Sequence, residues 1–253
     1  MFPLPAGGPE ASEVRPRERR RKRLASAAAL VRAATSPRMI VWGDPKVQAP
    51  LFGSATIKGP AGCGKSTFAT AVAIRIARDV GTPVLYISSE EGGEVSAVVR
   101  FARVARMMGI VVPEGLIISD AQDVHEADED VAEYERGLDG RGGFIIVDSL
   151  SQLRAPQPWW EDLLNSGHGC LLVLHTVTTG EARGGREPEY AVSVNIVVDS
   201  DGDAMLMKNR WGRTGEETRF SARNPPWCGV MAPPPEDSSD DGGQIITFPG
   251  TKL

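Results

Sequence analysis

Apolar and polar positions fall into short blocks whose period switches between that of a strand and that of a helix. Residues 54–58 form a short β-like run that leads into a glycine-rich stretch. Residues 66–79 carry Phe68, Val72 and Ile76 at helical spacing, which predicts a helix. The run 84–88, with Val84, Tyr86 and Ile87, predicts a strand, and 94–108 a helix that stops at Gly109. A short strand at 116–119 and an acidic helix over 124–138 follow. Residues 144–147 and 171–174 are continuous apolar runs, the pattern of buried strands. A segment with proline and tryptophan separates them and predicts a short helix. Strands at 192–198, 204–208 and 217–220 then come in quick succession, with turns at Asp201-Gly202 and around Gly212. Helix–strand alternation followed by hairpins predicts an α/β fold. Its twisted, mostly parallel sheet is flanked by helices and has antiparallel strands at one edge. No internal repeat is visible.

The ends of the chain differ from this pattern. Residues 1–36 read as a tail in which Arg15, Arg17, Arg19, Arg20, Arg21, Lys22 and Arg23 crowd one segment, opposed only by Glu18. Two readings stay open: a solvated, partly helical tail, or an arm that grips nucleic-acid phosphates. The small-residue stretch 24–31 behind it mimics a signal peptide, but Arg32 cuts the apolar part short. Residues 225–253, with Pro233-Pro234-Pro235 and the acidic run from Glu236 to Asp241, read as a linker and an acidic tail. That tail either solubilises the protein or competes with nucleic acid for a basic groove. One domain, 37–224, remains between the tails.

Of the 253 residues, 41% are apolar, enough for a sizeable core, and 24% are charged, which excludes wholesale disorder. The net charge of −5 excludes a polycation, so any nucleic-acid contact must come from local basic patches. The three cysteines, Cys63, Cys170 and Cys228, form no C-x-x-C pair. This excludes a zinc ribbon and a disulfide framework and implies a reducing, cytoplasmic setting. No apolar run approaches the about 18–20 residues of a membrane helix, so no membrane partner is expected.

The strongest chemical signal is Gly59-Pro60-Ala61-Gly62-Cys63-Gly64-Lys65-Ser66, a complete G-x-x-x-x-G-K-[ST] motif followed by Thr67. It stands between a predicted strand and a predicted helix, as a phosphate-binding loop must. The glycines let the backbone curl until several N–H groups converge on phosphate oxygens. The helix N-terminus adds its dipole. Lys65 is a mobile cation for the terminal phosphates, and the Ser66 hydroxyl can ligate Mg²⁺, so the cofactors expected are ATP and Mg²⁺. Asp148 ends a buried strand, where it either supports the Mg²⁺ or caps the turn before Ser149. Glu90 and Glu91 end another strand. One of them, and we favour Glu90, can orient and deprotonate the attacking water, unless both simply begin the next helix.

Further motifs carry a family resemblance. Tyr86-Ile87-Ser88-Ser89-Glu90-Glu91 resembles the acid-bearing second strand of RecA-type ATPases, in particular the RadA recombination family. Leu174-His175-Thr176-Val177-Thr178-Thr179-Gly180 resembles the RadA sensor strand. Lys208-Asn209-Arg210-Trp211-Gly212 is similar to RadA's Lys-Asn-Arg-Phe-Gly. Extended to Thr214-Gly215, it also resembles a hairpin of the DnaB helicase family. The resemblance covers about residues 40–223. It implies a RecA-like P-loop NTPase core, assembly into rings or filaments with ATP at subunit boundaries, and Lys208 and Arg210 as the basic pair that reaches a neighbour's nucleotide. RadA's four-cysteine zinc module and protease-like domain, and DnaB's N-terminal helical domain, have no counterpart here, so the chain resembles the small RecA-like proteins of phages and mobile elements. The KaiC clock ATPases share the core but act on protein.

His175 is either a core-edge histidine or a sensor of the γ-phosphate. Residues 176–190 are poor in apolar side chains. The resemblance places them at a central channel, where Arg183 and Arg186 would touch DNA phosphates and Tyr190 would stack a base. An exposed flexible loop is the other reading. Trp159-Trp160 either stack on bases or anchor a core or subunit interface. The leading expectation is an ATP-hydrolysing, DNA-stimulated homo-oligomer acting on single-stranded DNA in recombination, repair or replication. Its rivals are a KaiC-like regulatory ATPase that switches a protein complex, and a weakly hydrolysing helicase accessory module.

Overall fold

The computed structural model describes residues 39–41, 48–89, 94–176 and 187–224. Both tails, Glu90, Glu91, Arg183 and Arg186 lie outside the described residues. Strands β1 (Met39–Val41) and β2 (Gln48–Pro50) pair antiparallel as a separate two-stranded sheet. No element was expected there, because three-residue strands are too short to display a period.

The main sheet contains β3 (Ser54–Gly59), β4 (Val84–Ser88), β5 (Leu116–Ser119), β6 (Phe144–Asp148), β7 (Gly169–His175), β8 (Val194–Val198), β9 (Asp203–Asn209) and β10 (Phe220–Ser221). Their order is β10-β9-β8-β3-β7-β6-β4-β5. The strands from β8 to β5 in that order are parallel, and β9 and β10 are antiparallel at one edge, as the pattern predicted. Residues 217–220 depart from it. Glu216–Thr218 form a 3₁₀ turn and β10 has only two residues. The Thr218 hydroxyl donates to the Gly215 carbonyl (2.6 Å) and accepts from the Leu206 amide (3.0 Å), so a side chain occupies the place of a ladder partner.

Helices α1 (Lys65–Arg75), α2 (Glu94–Met107), α3 (Val124–Gly137), α4 (Leu150–Leu153), α5 (Gln157–Leu164) and α6 (Glu187–Ala191) join the strands. The expected helix over 66–79 is α-helical to Arg75 and π-helical over Ile76–Val80. Central strands are buried on both faces, and alternate residues feed two cores. Ala55, Ile57, Tyr86, Phe144 and Leu171 pack with α1 and α2, whereas Leu85, Ile87, Ile145 and Leu172 pack with α3, α4 and α5. Trp159 and Trp160 belong to the second core, at 5% and 4% exposure, and the Trp159 indole donates to Asp128 Oδ1 at 3.2 Å. They are core anchors, and the base-stacking reading of this pair falls away. Among the described residues no helix is long and apolar enough to cross a membrane.

Candidate functional site

Between two parallel neighbours, β3 delivers the chain to the carboxyl edge of the sheet, where α/β proteins place their ligands. The turn that follows needs glycine for identifiable reasons. A Cβ on Gly59 would strike the Val198 carbonyl, and Gly64 caps α1 in a left-handed conformation (φ 107°). The free amides of the first turn of α1 therefore face the loop. Lys65 is 3% exposed; its ammonium donates to the Pro60 carbonyl at 2.7 Å and lies 3.9 Å from Cys63 Sγ. The cation is thus folded across the inside of the loop. Ala61 and Gly62 are exposed at its mouth, and Ser66 and Thr67 are half-buried at the helix start.

Asp148, fully buried at the end of β6, accepts the Ser66 hydroxyl on Oδ1 at 3.2 Å. On Oδ2 it accepts the Tyr86 hydroxyl at 2.6 Å, and Arg100 Nη2 lies 3.4 Å away. Burial, and then the charge of Asp148, holds the Tyr86 phenol well above its ordinary pKa, so it stays a donor. The Asp148–Ser149 peptide is cis. The Ser89 amide donates to the Asp148 carbonyl (2.7 Å), and the Ser89 hydroxyl exchanges hydrogen bonds with the Ser149 backbone (3.0 and 3.1 Å). The chain therefore departs toward Glu90 pinned beside Asp148. Among the described residues no group of three or more His, Cys, Asp and Glu side chains could hold a metal unaided. The Ser66–Asp148 pair fits Mg²⁺, which takes few protein ligands and completes its octahedron with phosphate oxygens and water.

His175, the last residue of β7, pairs in register with Gly59, and the next amide, Thr176, donates to the Gly59 carbonyl at 3.1 Å. The candidate sensor thus touches the first residue of the phosphate loop. The chain returns at α6, where Glu189 meets Lys58 (2.7 Å), the residue before Gly59, and accepts from Asn195 (2.9 Å). Tyr190 is exposed. Lys208 donates to the carbonyls of Tyr190 (2.8 Å) and Glu189 (3.3 Å), and burial, then the charge of Arg210, lowers its pKa. Arg210 is exposed, and its amide donates to Ser193, whose amide donates to Ser54. Arg210 is therefore level with the first residue of β3. Five residues separate that level from Gly59, roughly 17 Å at the strand rise of about 3.3 Å.

Several residues at the site escaped sequence reasoning. Tyr86 and Arg100 reach Asp148 only through the packing of β4 and α2 against β6. Arg223, after β10, donates to the carbonyls of Ser200 (2.7 Å) and Gly62 (3.4 Å), and its stem lies against Gly64 and Gly202. It puts a cation at its own phosphate loop, with no local motif to announce it.

Comparison with known proteins agrees with this geometry. Residues 17–158, more than half of the chain, match the family model AAA_25, an AAA domain. The match begins inside the basic segment read as a tail. No curated protein matches the chain by sequence. In fold it is similar to the KaiC-like protein PH0186 from the hyperthermophilic archaeon Pyrococcus horikoshii, with a TM-score of 0.56 at 17% identity, over 74% of this chain and 97% of that one. The chain belongs to the AAA domain family AAA_25, and its P-loop core has a RecA-like fold.

Proposed function

We propose that the protein hydrolyses ATP as a ring or filament on single-stranded DNA, in recombination, repair or replication. Residues 59–67 of one protomer hold the nucleotide and Arg210 of the next completes the site. The observation that carries the assembly part of this reading is the place of Arg210, at the opposite end of β3 from its own loop. From there it has no reach to its own γ-phosphate and is presented outward. Lys208 would first have to exchange two backbone carbonyls, so Arg210 leads and Lys208 supports.

Within one protomer the roles follow from position. The amides of the loop and Lys65 bind the β- and γ-phosphates. Ser66 would hold Mg²⁺ directly and Asp148 would support it through water, and the ion would supply neutralising charge at the phosphates. Glu90 deprotonates the attacking water, for which its neighbour Ser89, tied to Asp148, is the supporting observation. Glu90→Gln is expected to leave ATP binding intact and to slow hydrolysis by about 10²-fold or more. Normal turnover in Glu90→Gln with loss in Glu91→Gln would transfer the role to Glu91.

For DNA, the supporting feature is the frame of residues 177–186. That segment leaves from the residues beside Gly59 and returns at α6, which Lys58 secures. Arg183 and Arg186 lie on it in sequence, and His175, paired with Gly59, is the last strand residue before it. Single-stranded DNA should stimulate turnover. Its affinity should fall with log salt at a slope of about −0.7 per phosphate neutralised. Deleting residues 1–36 should flatten the slope if the basic arm contributes. A slope near zero and no stimulation would overturn the DNA reading. They would promote a regulatory ATPase that switches a protein complex, which the likeness to a KaiC-like fold favours.

A further inference from the structure

Asp148 faces a second group of residues on the side away from Ser66. Arg100, on α2, is 6% exposed and buried among four elements. Its Nε donates to the Thr70 hydroxyl on α1 at 3.1 Å. Its Nη2 donates to the hydroxyls of Tyr86 (3.3 Å) and Ser88 (3.4 Å) on β4, and lies 3.4 Å from Asp148 Oδ2 on β6. The guanidinium also lies over the Tyr86 ring, 5.5 Å from its centroid. We propose that Arg100 is the positioning residue of the metal site: with Tyr86 it engages Asp148 Oδ2, turns Oδ1 toward Ser66, and so fixes the direction in which the carboxylate supports Mg²⁺.

The physical argument has three steps. A fully buried carboxylate needs a counter-charge, and within the described residues Arg100 makes the ion pair with it. A carboxylate has two equivalent oxygens, so a donor on one of them decides what the other faces; Tyr86 at 2.6 Å and Arg100 on Oδ2 leave Ser66 on Oδ1. Residues that orient a metal ligand typically account for about 10–100-fold in metal affinity. Arg100 does this from α2, the helix that starts four residues after Glu90 in sequence. A fork-shaped guanidinium suits the task, since it meets α1, β4 and β6 at once, and the single ammonium of lysine does not.

The inference rests on the reading of Ser66 and Asp148 as the Mg²⁺ side of the site, and the test separates the two. ATP affinity is measured by calorimetry with and without Mg²⁺ for the wild type, Arg100→Gln, Arg100→Lys and Tyr86→Phe. Mn²⁺ binding to the ADP complex is followed by electron paramagnetic resonance. The wild type is expected to bind ATP more tightly with Mg²⁺. In Arg100→Gln the Mg²⁺-free affinity should be kept, while Mn²⁺ affinity falls by about 10–100-fold. Arg100→Lys should recover part of the loss. Tyr86→Phe, which removes one donor and adds no charge imbalance, should show a several-fold loss and decides the matter if Arg100→Gln does not fold. Unchanged Mn²⁺ affinity in the folded variants would overturn the role of Arg100 and leave the metal reading standing. A wild type indifferent to Mg²⁺ would overturn both.

Discussion

Replacing Lys65 with alanine is expected to reduce ATP turnover to background. The ammonium is buried inside the loop, held 2.7 Å from the Pro60 carbonyl, with its stem fixed by the start of α1. Removing it leaves the loop amides to face the β- and γ-phosphates without their mobile cation. Lys65→Arg should fail as well, because a planar fork does not fit a pocket built for a compact ammonium. Turnover assays with thermal melting as a control for folding check this. A folded Lys65→Ala protein with wild-type turnover would sink the assignment of residues 59–67 as the catalytic nucleotide site.

The second large effect is expected in trans. Arg210→Ala should lower turnover by about 10³–10⁵, the range of an arginine finger, with nucleotide binding to the isolated protomer unchanged. The strand geometry gives this prediction its sharper form. Arg210 is a whole strand length from its own loop, so the target proposed for it lies on another copy. Mixing Arg210→Ala with Lys65→Ala subunits should restore part of the activity, because some boundaries then join an intact loop to an intact finger. Specific activity of the wild type should rise with protein concentration until assembly is complete. Full activity in a dilute monomer, or no rescue in mixtures shown to exchange subunits, would overturn the trans assignment. Arg223, already resting on Gly62, would then be the cation to examine in cis.

The phosphate loop was legible before any coordinates because its chemistry is local. Eight consecutive residues carry the turn glycines, the amides and the groups proposed as cation and metal hydroxyl, so the motif is read without any distant contact. The parallel sheet was legible for a related reason. Strands buried on both faces are continuous apolar runs, and those runs at 84–88, 144–147 and 171–174 stand between helical periods. Asp148 was found from its place at the end of such a run. The short pair β1–β2 was not, since three-residue strands show no period, and the strand expected at 217–220 is cut to two residues by a 3₁₀ turn.

What only the tertiary structure decided is which side chains converge. Arg100 is a helix residue indistinguishable in sequence from Arg103 or Arg106, yet it alone of the three is buried beside Asp148, because α2 packs against α1 with that one face inward. Trp159 and Trp160 read from sequence as core or interface anchors ahead of base-stacking residues, and the packing of α5 against the sheet decides for the core. The register of β8 and β9 on β3 places Arg210 far from its own loop and Arg223 next to it, although both are arginines near the same edge. Sequence by itself determined the phosphate loop, its helix and the parallel core, whose residues act through neighbours in the chain. The partners of Asp148 and the direction of each arginine depend on contacts between residues that only folding brings together.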